Sequence, residues 1–200
     1  MLKELEKHVR IFNLIAPVYN RFFPGQVRNY RSLLDRYEGL LNIPPRGRVL
    51  DIGCGTGAFI SCFAERGYQT VGVDFSAQML KAAMKSTRGK AIEFVQGDVT
   101  QGLDFPNKNF DLVFSSYVLH GLSSALRQRI YEEADRLSRG QVLFYDYNQK
   151  RRWFTDLAEW AEGGDYFGFV RQGEREMRAY FNEVKRIDVG LQTALYLCSR

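Results

Sequence analysis

The sequence predicts an α/β fold in which a mainly parallel sheet carries helices on both faces. From Arg48 onward, short apolar runs alternate with helical patterns, which is typical of β-α-β units. A glycine-rich turn, "GCGTG", joins the first apolar run to the first helical pattern. Near the end, two extended runs flank Gly190 as in a hairpin. Such neighbours are antiparallel because parallel strands need a long crossover, so we expect an antiparallel pair at the sheet edge.

A helical extension precedes the alternating part. Apolar residues in "LKELEKHVRIFNLIA" recur close to a 3.6-residue period, and we expect breaks at Pro17 and at Pro24–Gly25. The length of 200 residues suits a single domain. We divide it into a helical lid over residues 1–46, a cofactor-binding core over 47–146, and a substrate-side helix or loop with the terminal hairpin over 147–200.

The elements of the core follow one another in a regular order. Strands are predicted at "RVLDI", "YQTVGVDF", "AIEFVQGD", "FDLVFSSYVLHGL" and "QVLFYDYN". Helices are predicted at "GAFISCFAERG", "AQMLKAAMKSTRG", "ALRQRIYEEADRLSRG" and "RRWFTDLAEWAE". Ser76 is the expected N-cap of the second of these helices, and Ser123 or Ser124 that of the third.

Composition narrows the class of protein. No apolar stretch approaches the length of a membrane span and no secretory signal is visible, so we expect a cytoplasmic protein. Two distant histidines and three cysteines without a CxxC pair argue against a metal site. The net charge of +5 raises the question of nucleic acid. Its basic residues are scattered among acids, which makes nucleic acid an unexpected partner.

The glycine turn fits two kinds of adenosine cofactor. Gly53, Gly55 and Ala58 satisfy the GxGxxA dinucleotide pattern, and Asp74 follows 21 residues later, where a carboxylate can accept from ribose hydroxyls. Asp51 favours an adenosine cofactor with cationic groups over a dinucleotide. A pyrophosphate beside this carboxylate would bring like charges together, whereas a sulfonium and an ammonium would be complementary to it. The sequence therefore predicts a cationic cofactor.

Four ordered stretches carry a family resemblance. "VLDIGCGTG", "VGVDFS", "GDV" and "FDLVFSSYVLHGL" are similar to the motifs of the class I S-adenosylmethionine-dependent methyltransferases. The resemblance covers roughly residues 49–122. It implies a Rossmann-like sheet of seven strands with the last one antiparallel. It also implies S-adenosylmethionine as the cofactor and a methyl transfer as the reaction.

The resemblance assigns the glycine turn to the methionine part of the cofactor. Gly53, Gly55 and Gly57 would line it, with Cys54 in the same turn. Asp51 would lie close to the ammonium, directly or through water.

The following motifs would hold the adenosine part. Asp74 would bind the ribose hydroxyls, and Phe75 and Met79 would pack on the adenine. Asp98 would accept from the adenine amino group, with the Val99 N–H nearby. Two alternatives stay open: Asp98 could cap the turn "GDVTQG", and Met79 could be ordinary core.

A second, looser likeness concerns the opening helices. "IFNLIAPVYNRFF" resembles the segment before the glycine motif in ubiquinone and menaquinone biosynthesis methyltransferases, where a tyrosine lies over the cofactor. Tyr19 takes that place, although Asn20 stands where that group has an acid. By the class I resemblance, Ser115 and Ser116, at the end of the fourth strand, would border the methionine part of the cofactor and the methyl group that is transferred.

His120 is the candidate general base. It follows the fourth strand, on the side where open α/β sheets bind ligands, and a base helps most with a phenol or a carbon acid. A structural histidine is the alternative. Tyr145 and Asp146, at the end of the fifth strand, are further candidates.

The parts outside the core should select the methyl acceptor. We expect the opening helices and "EGGDYFGFVRQGEREMRAYF" to enclose it, with glycines that permit movement; the aromatic residues there could instead simply cover the sheet. The acceptor is expected to be a small aromatic or lipophilic molecule. An RNA methyltransferase and a non-catalytic cofactor-binding protein remain the alternatives, and a nicotinamide dehydrogenase is opposed by Asp51.

Overall fold

The sheet has seven strands and is flanked by helices. The computed structural model describes residues 21–152, 155–156 and 164–200. Helix α1 covers residues 21–37. In chain order there follow β1 (Arg48–Ile52), α2 (Ala58–Glu65), β2 (Gln69–Asp74), α3 (Ala77–Ser86), β3 (Ile92–Gln96), β4 (Phe110–Ser116), α4 (Ser124–Leu137), β5 (Ser138–Tyr147), α5 (Tyr166–Met177), β6 (Glu183–Asp188) and β7 (Thr193–Ser199). Short 3-10 turns lie at Glu38–Leu40, Val99–Gln101 and Leu119–Gly121.

The strand order is β3-β2-β1-β4-β5-β7-β6. Strands β1 to β5 are mutually parallel, and β7 runs antiparallel to both of its neighbours, β5 and β6. The predicted fold and the terminal hairpin are confirmed. The order reverses between β1 and β4, and open α/β sheets bind their ligands at the carboxyl ends of the strands that flank such a reversal.

Apolar residues of the strands face helices on both sides of the sheet. One core cluster joins residues such as Leu50 and Val113 to α4 and α5, while the other joins Val49 and Leu112 to α1 and α2. Because both faces are covered, the strands are almost continuously apolar rather than alternating. None of the helices in the described ranges is both long and apolar enough to cross a membrane.

One local expectation needs correction, and an alternative left open for another segment is resolved. Helix α1 runs through Pro24 and Gly25 without a break. Pro24 is among the first four described residues of the helix, and proline is tolerated in the first turn of a helix. The segment expected to move through its glycines contains α5. Phe169 and Met177 of this helix are at most 2% exposed and belong to the core, so these side chains cover the sheet. Pro17 and most of the helix predicted at "RRWFTDLAEWAE" lie outside the described residues.

Candidate active site

A cavity of about 540 Å³ opens at the carboxyl ends of β1, β2 and β4. Its volume falls within the range of small-molecule sites. The following described residues line it: Gln26, Tyr30, Ile52, Gly53, Cys54, Gly55, Thr56, Ala58, Phe59, Val73, Asp74, Phe75, Met79, Gly97, Asp98, Val99, Thr100, Ser116, Tyr117, Val118, His120, Gly121, Leu122, Ile130, Tyr147 and Gly164.

The glycine turn forms one wall of this cavity. Gly53 has a φ of 73°, and a Cβ there would lie 2.6 Å from Cγ2 of Val118, so a side chain does not fit. Gly53, Cys54 and Gly55 line the cavity, as the sequence predicts, whereas Gly57 does not. Gly57 is the N-cap of α2 in the left-handed conformation, and its Cα faces other side chains instead.

Asp74 links the end of β2 to the glycine turn. Its Oδ2 accepts from the Gly55 N–H at 2.9 Å, and its Oδ1 accepts from the Ser76 N–H at 2.9 Å. The carboxyl lines the cavity although the residue is only 7% exposed. Burial raises its pKa, and the backbone N–H donors oppose that rise. Asp74 therefore shapes the turn as well as facing the ligand space.

The residues expected at the adenine also lie at the cavity. Phe75, Met79, Asp98 and Val99 all line it. Asp98 also caps the 3-10 turn at Val99–Gln101, because its Oδ1 accepts from the N–H and the hydroxyl of Thr100 at 2.9 and 2.7 Å. Met79 is 2% exposed. Asp98 therefore caps a turn and Met79 packs in the core, and both residues also line the cavity.

The two serines at the end of β4 differ. Ser116 lines the cavity. Ser115 does not, because it points to the other side of the strand and its Oγ donates to the Ile52 carbonyl at 2.8 Å. The Ser115 side chain therefore contacts β1 directly.

Helix α1 contributes residues that the sequence did not suggest. Gln26 and Tyr30, one helical turn apart, line the cavity. The Tyr30 ring stacks on Phe59 of α2 with centroids 4.3 Å apart, and its hydroxyl lies 3.4 Å from the Ser116 Oγ. Tyr19, predicted to cover the cofactor, lies outside the described residues. The only signal in the sequence was the apolar spacing of α1, which indicates a helix. That spacing did not reveal which helix face meets the sheet.

His120 pairs with a buried carboxylate. Its Nδ1 lies 2.8 Å from Oδ1 of Asp146, which is 1% exposed at the end of β5. Asp146 also accepts from the backbone N–H groups of Leu119 and Tyr147, at 3.0 and 2.8 Å. Surrounded by donors, the carboxylate fixes Nδ1 of His120 as a donor. In the neutral ring of this tautomer, Nε2 carries no proton.

Aromatic rings surround this pair. The ring of His120 meets Tyr147 edge-on at 4.9 Å and Tyr117 at 6.3 Å, and Tyr117 meets Tyr145 at 4.9 Å. Burial raises the pKa of the Tyr117 hydroxyl, which lies 3.2 Å from that of Tyr145. Tyr117 has a φ of 54°, a conformation that costs a bulky residue about 1–3 kcal/mol and often marks a functional site.

Comparisons with known proteins agree with this geometry. The model of a family described as a methyltransferase domain matches residues 49–140. The demethylmenaquinone methyltransferase of Renibacterium salmoninarum is 33% identical over 125 residues, covering 60% of this chain and 50% of the relative. The chain thus matches half the length of that relative. An uncharacterized methyltransferase of Anoxybacillus flavithermus is 28% identical over 185 residues, 89% of this chain and 84% of the relative.

A solved structure extends the likeness to the fold. The PH0226 protein of Pyrococcus horikoshii superposes with a TM-score of 0.68 at 26% identity, covering 85% of this chain and 90% of that one. These likenesses support a class I S-adenosylmethionine-dependent methyltransferase. They likewise support S-adenosylmethionine as the cofactor.

Asp51 provides a test of whether this cofactor suits the methyltransferase. The residue is 1% exposed and lies behind the cavity wall rather than in it. Its Oδ1 is buried and has no hydrogen-bond partner in the described part of the chain. Burial and the nearby Asp74 raise its pKa well above the ordinary value. A cationic ligand would relieve this energetic cost, so the residues present fit a sulfonium cofactor with an ammonium group.

Proposed function

We propose that the methyltransferase modifies a small, uncharged, aromatic or lipophilic acceptor that loses a proton as it is methylated. The observation that carries this proposal is the His120–Asp146 pair beside the aromatic rings of Tyr117 and Tyr147. Flat apolar molecules pack well on such rings. A general base contributes most when the attacking group is a phenol or a carbon acid.

The charges of the cavity support an uncharged acceptor. Among the described lining residues, the acidic ones are Asp74 and Asp98, and no lysine or arginine occurs. A phosphate or carboxylate on the acceptor would therefore find no compensating side-chain cation among the described lining residues. This distribution also speaks against RNA, whose backbone requires basic contacts.

Relatives add a weaker argument for the same substrate class. Those from Renibacterium salmoninarum and a Roseiflexus strain carry the name demethylmenaquinone methyltransferase, at 33% and 32% identity. Demethylmenaquinone is a lipophilic ring compound, which fits the aromatic end of the cavity.

Each residue has a defined part in the proposed reaction. When bound, the cofactor supplies a methyl group activated by its sulfonium. The glycine turn with Asp51, Asp74 and the lining residues Phe75, Met79, Asp98 and Val99 would hold the cofactor. Nε2 of His120 would take the proton of the acceptor, and Asp146 would orient the ring and stabilise its positive charge. The aromatic rings would exclude water and align the acceptor.

A transfer assay tests the proposed substrate class. Radiolabelled S-adenosylmethionine would be offered with 1-naphthol, catechol and 1,4-dihydroxynaphthalene, and with 3,4-dihydroxybenzoate and RNA as charged counterparts. We expect label in the neutral phenols alone. Label only in RNA or in the carboxylate would overturn the proposal. Cofactor binding without transfer to any acceptor would favour a non-catalytic binding protein.

A double-mutant cycle tests the pair. We expect His120→Asn to lower kcat by about a hundredfold or more and Asp146→Asn to lower it comparably, with little further loss in the double variant, because the two residues act as a unit. The acidic limb of the pH–rate profile should disappear in each variant. Additive losses, or an unchanged pH profile in variants that keep the wild-type Tm, would show that the histidine is structural.

A further inference from the structure

The carbonyl oxygen of Gln26 is a buried acceptor without a partner. Gln26 lines the cavity from α1, and its Oε1 has no hydrogen bond in the described part of the chain. Among the described lining residues, it alone has such a side-chain atom. Buried polar atoms in folded proteins nearly always have partners. An unpaired acceptor at a cavity wall therefore points to a donor on the ligand.

The position of α1 indicates which part of the ligand meets Gln26. Tyr30, on the same face one turn later, stacks on Phe59 in the first turn of α2. The Val27 carbonyl lies 3.7 Å from the Cys62 Sγ of α2. The end of α1 that carries Gln26 thus packs beside the start of α2, directly after the glycine turn. The adenine end, at Met79 and Asp98, is formed by other elements.

Among the groups of S-adenosylmethionine at the glycine turn, one matches an acceptor. Its carboxylate only accepts hydrogen bonds and its sulfonium has no N–H or O–H, whereas its ammonium has three donors. The second unpaired buried oxygen near the turn, Oδ1 of Asp51, is also an acceptor. Asp51 lies behind the cavity wall, so it favours the ammonium through its charge rather than as a second hydrogen-bond acceptor.

We propose that Gln26 Oε1 accepts a hydrogen bond from the α-ammonium of the cofactor. Together with Asp51 it makes the site selective for adenosine ligands that keep the amino-acid part. The inference depends on the cofactor assignment but not on the methyl acceptor. The contact gives α1 a role in cofactor recognition in addition to covering the sheet.

Calorimetry with two ligands tests this contact. S-adenosylhomocysteine carries the ammonium, and 5′-methylthioadenosine lacks both the ammonium and the carboxylate. We expect Gln26→Leu to weaken the first by about tenfold and to change the second by less than about twofold. Gln26→Glu should keep or tighten S-adenosylhomocysteine binding, because a carboxylate attracts the ammonium. Asn29→Leu, at an exposed amide of the same helix, is the matched control.

The possible outcomes distinguish the contact between Gln26 and the ammonium from the cofactor assignment itself. Equal losses for both ligands, or no loss for either, would overturn the ammonium contact. A larger loss for Gln26→Glu than for Gln26→Leu would also overturn it, since the amide would then be donating to the cofactor carboxylate. If the wild-type protein binds neither ligand, the cofactor assignment itself fails.

Discussion

Asp51 is a residue whose position costs stability in the absence of ligand. The folded chain raises its pKa well above the ordinary 3.8, chiefly through burial and then through Asp74. Between these two pKa values the folded state holds a proton that the unfolded state has lost. The free energy of unfolding therefore falls as pH rises through this window. Such a cost is consistent with a group kept for binding rather than for folding.

The substitution Asp51→Asn should separate stability from binding. We expect the variant to be more stable than the wild type at pH 7, by about 1–3 kcal/mol, and the two to converge near pH 4. Its affinity for S-adenosylmethionine should fall, because the buried negative charge is gone. Urea denaturation across pH and calorimetry at pH 7 measure the two effects. Parallel stability curves, or an unchanged affinity, would contradict this account.

At the scale of elements, Arg127 joins α4 to α5. The guanidinium is 1% exposed and contacts Glu176 at 2.7 Å and Asp165 at 2.9 Å. Burial alone would raise the pKa of Glu176, but hydrogen bonds from Arg127 and Ser124 outweigh it, so the net pKa is lowered. The stability this carboxylate contributes is present above its unfolded pKa and is lost as pH falls through the lowered one.

Removing the arginine should weaken the contact between the helices. We expect Arg127→Leu to lower the free energy of unfolding by about 3–5 kcal/mol, because Glu176 would be left buried without its partner. Arg129→Leu, which breaks only the exposed pair with Glu132, should cost less than about 1 kcal/mol. Urea denaturation at pH 7 compares them, and equal effects would contradict a special role for the buried network.

The sequence predicted the elements better than their contacts. Strands such as β1 and β4 are continuous apolar runs, and the Ser76 cap forms as expected, with its Oγ accepting from the Met79 N–H at 3.1 Å. The pairing of His120 with Asp146 was not predictable, since it depends on the register that sets Ser116 beside Tyr145. The sequence left open whether the segment of α5 is helix or loop, because its glycines permit movement. In fact Gly168 makes room for the Asp165 carboxylate, since a Cβ there would fall within 2.4 Å of both its oxygens.

At the scale of the whole molecule, the net charge and the charge of the cavity have opposite signs. The chain carries +5, whereas Asp74 and Asp98 are the charged residues among the described lining. Partly buried charges are screened by salt much less than distant surface charges. The local carboxylates should therefore govern the binding of a cationic cofactor.

A salt series tests this balance. We expect the affinity for S-adenosylmethionine to change less than about threefold between roughly 50 and 500 mM salt. Any binding of RNA through the scattered basic residues should instead weaken steeply over the same range. Calorimetry at four salt concentrations measures both. A steep decline of cofactor affinity with salt would show that long-range charge governs binding.

The position of β7 constrains the order in which the sheet can assemble. Strand β6 pairs with β7 alone, and β7 lies between β6 and β5. During synthesis β6 emerges first, yet it has no place in the sheet until β7 follows and pairs with β5. Until then the β5 edge stays open, and open edges invite association with other chains. Completion of this side of the sheet therefore waits for β7, and a chain that has formed β5 but not β7 exposes a strand edge that favours aggregation.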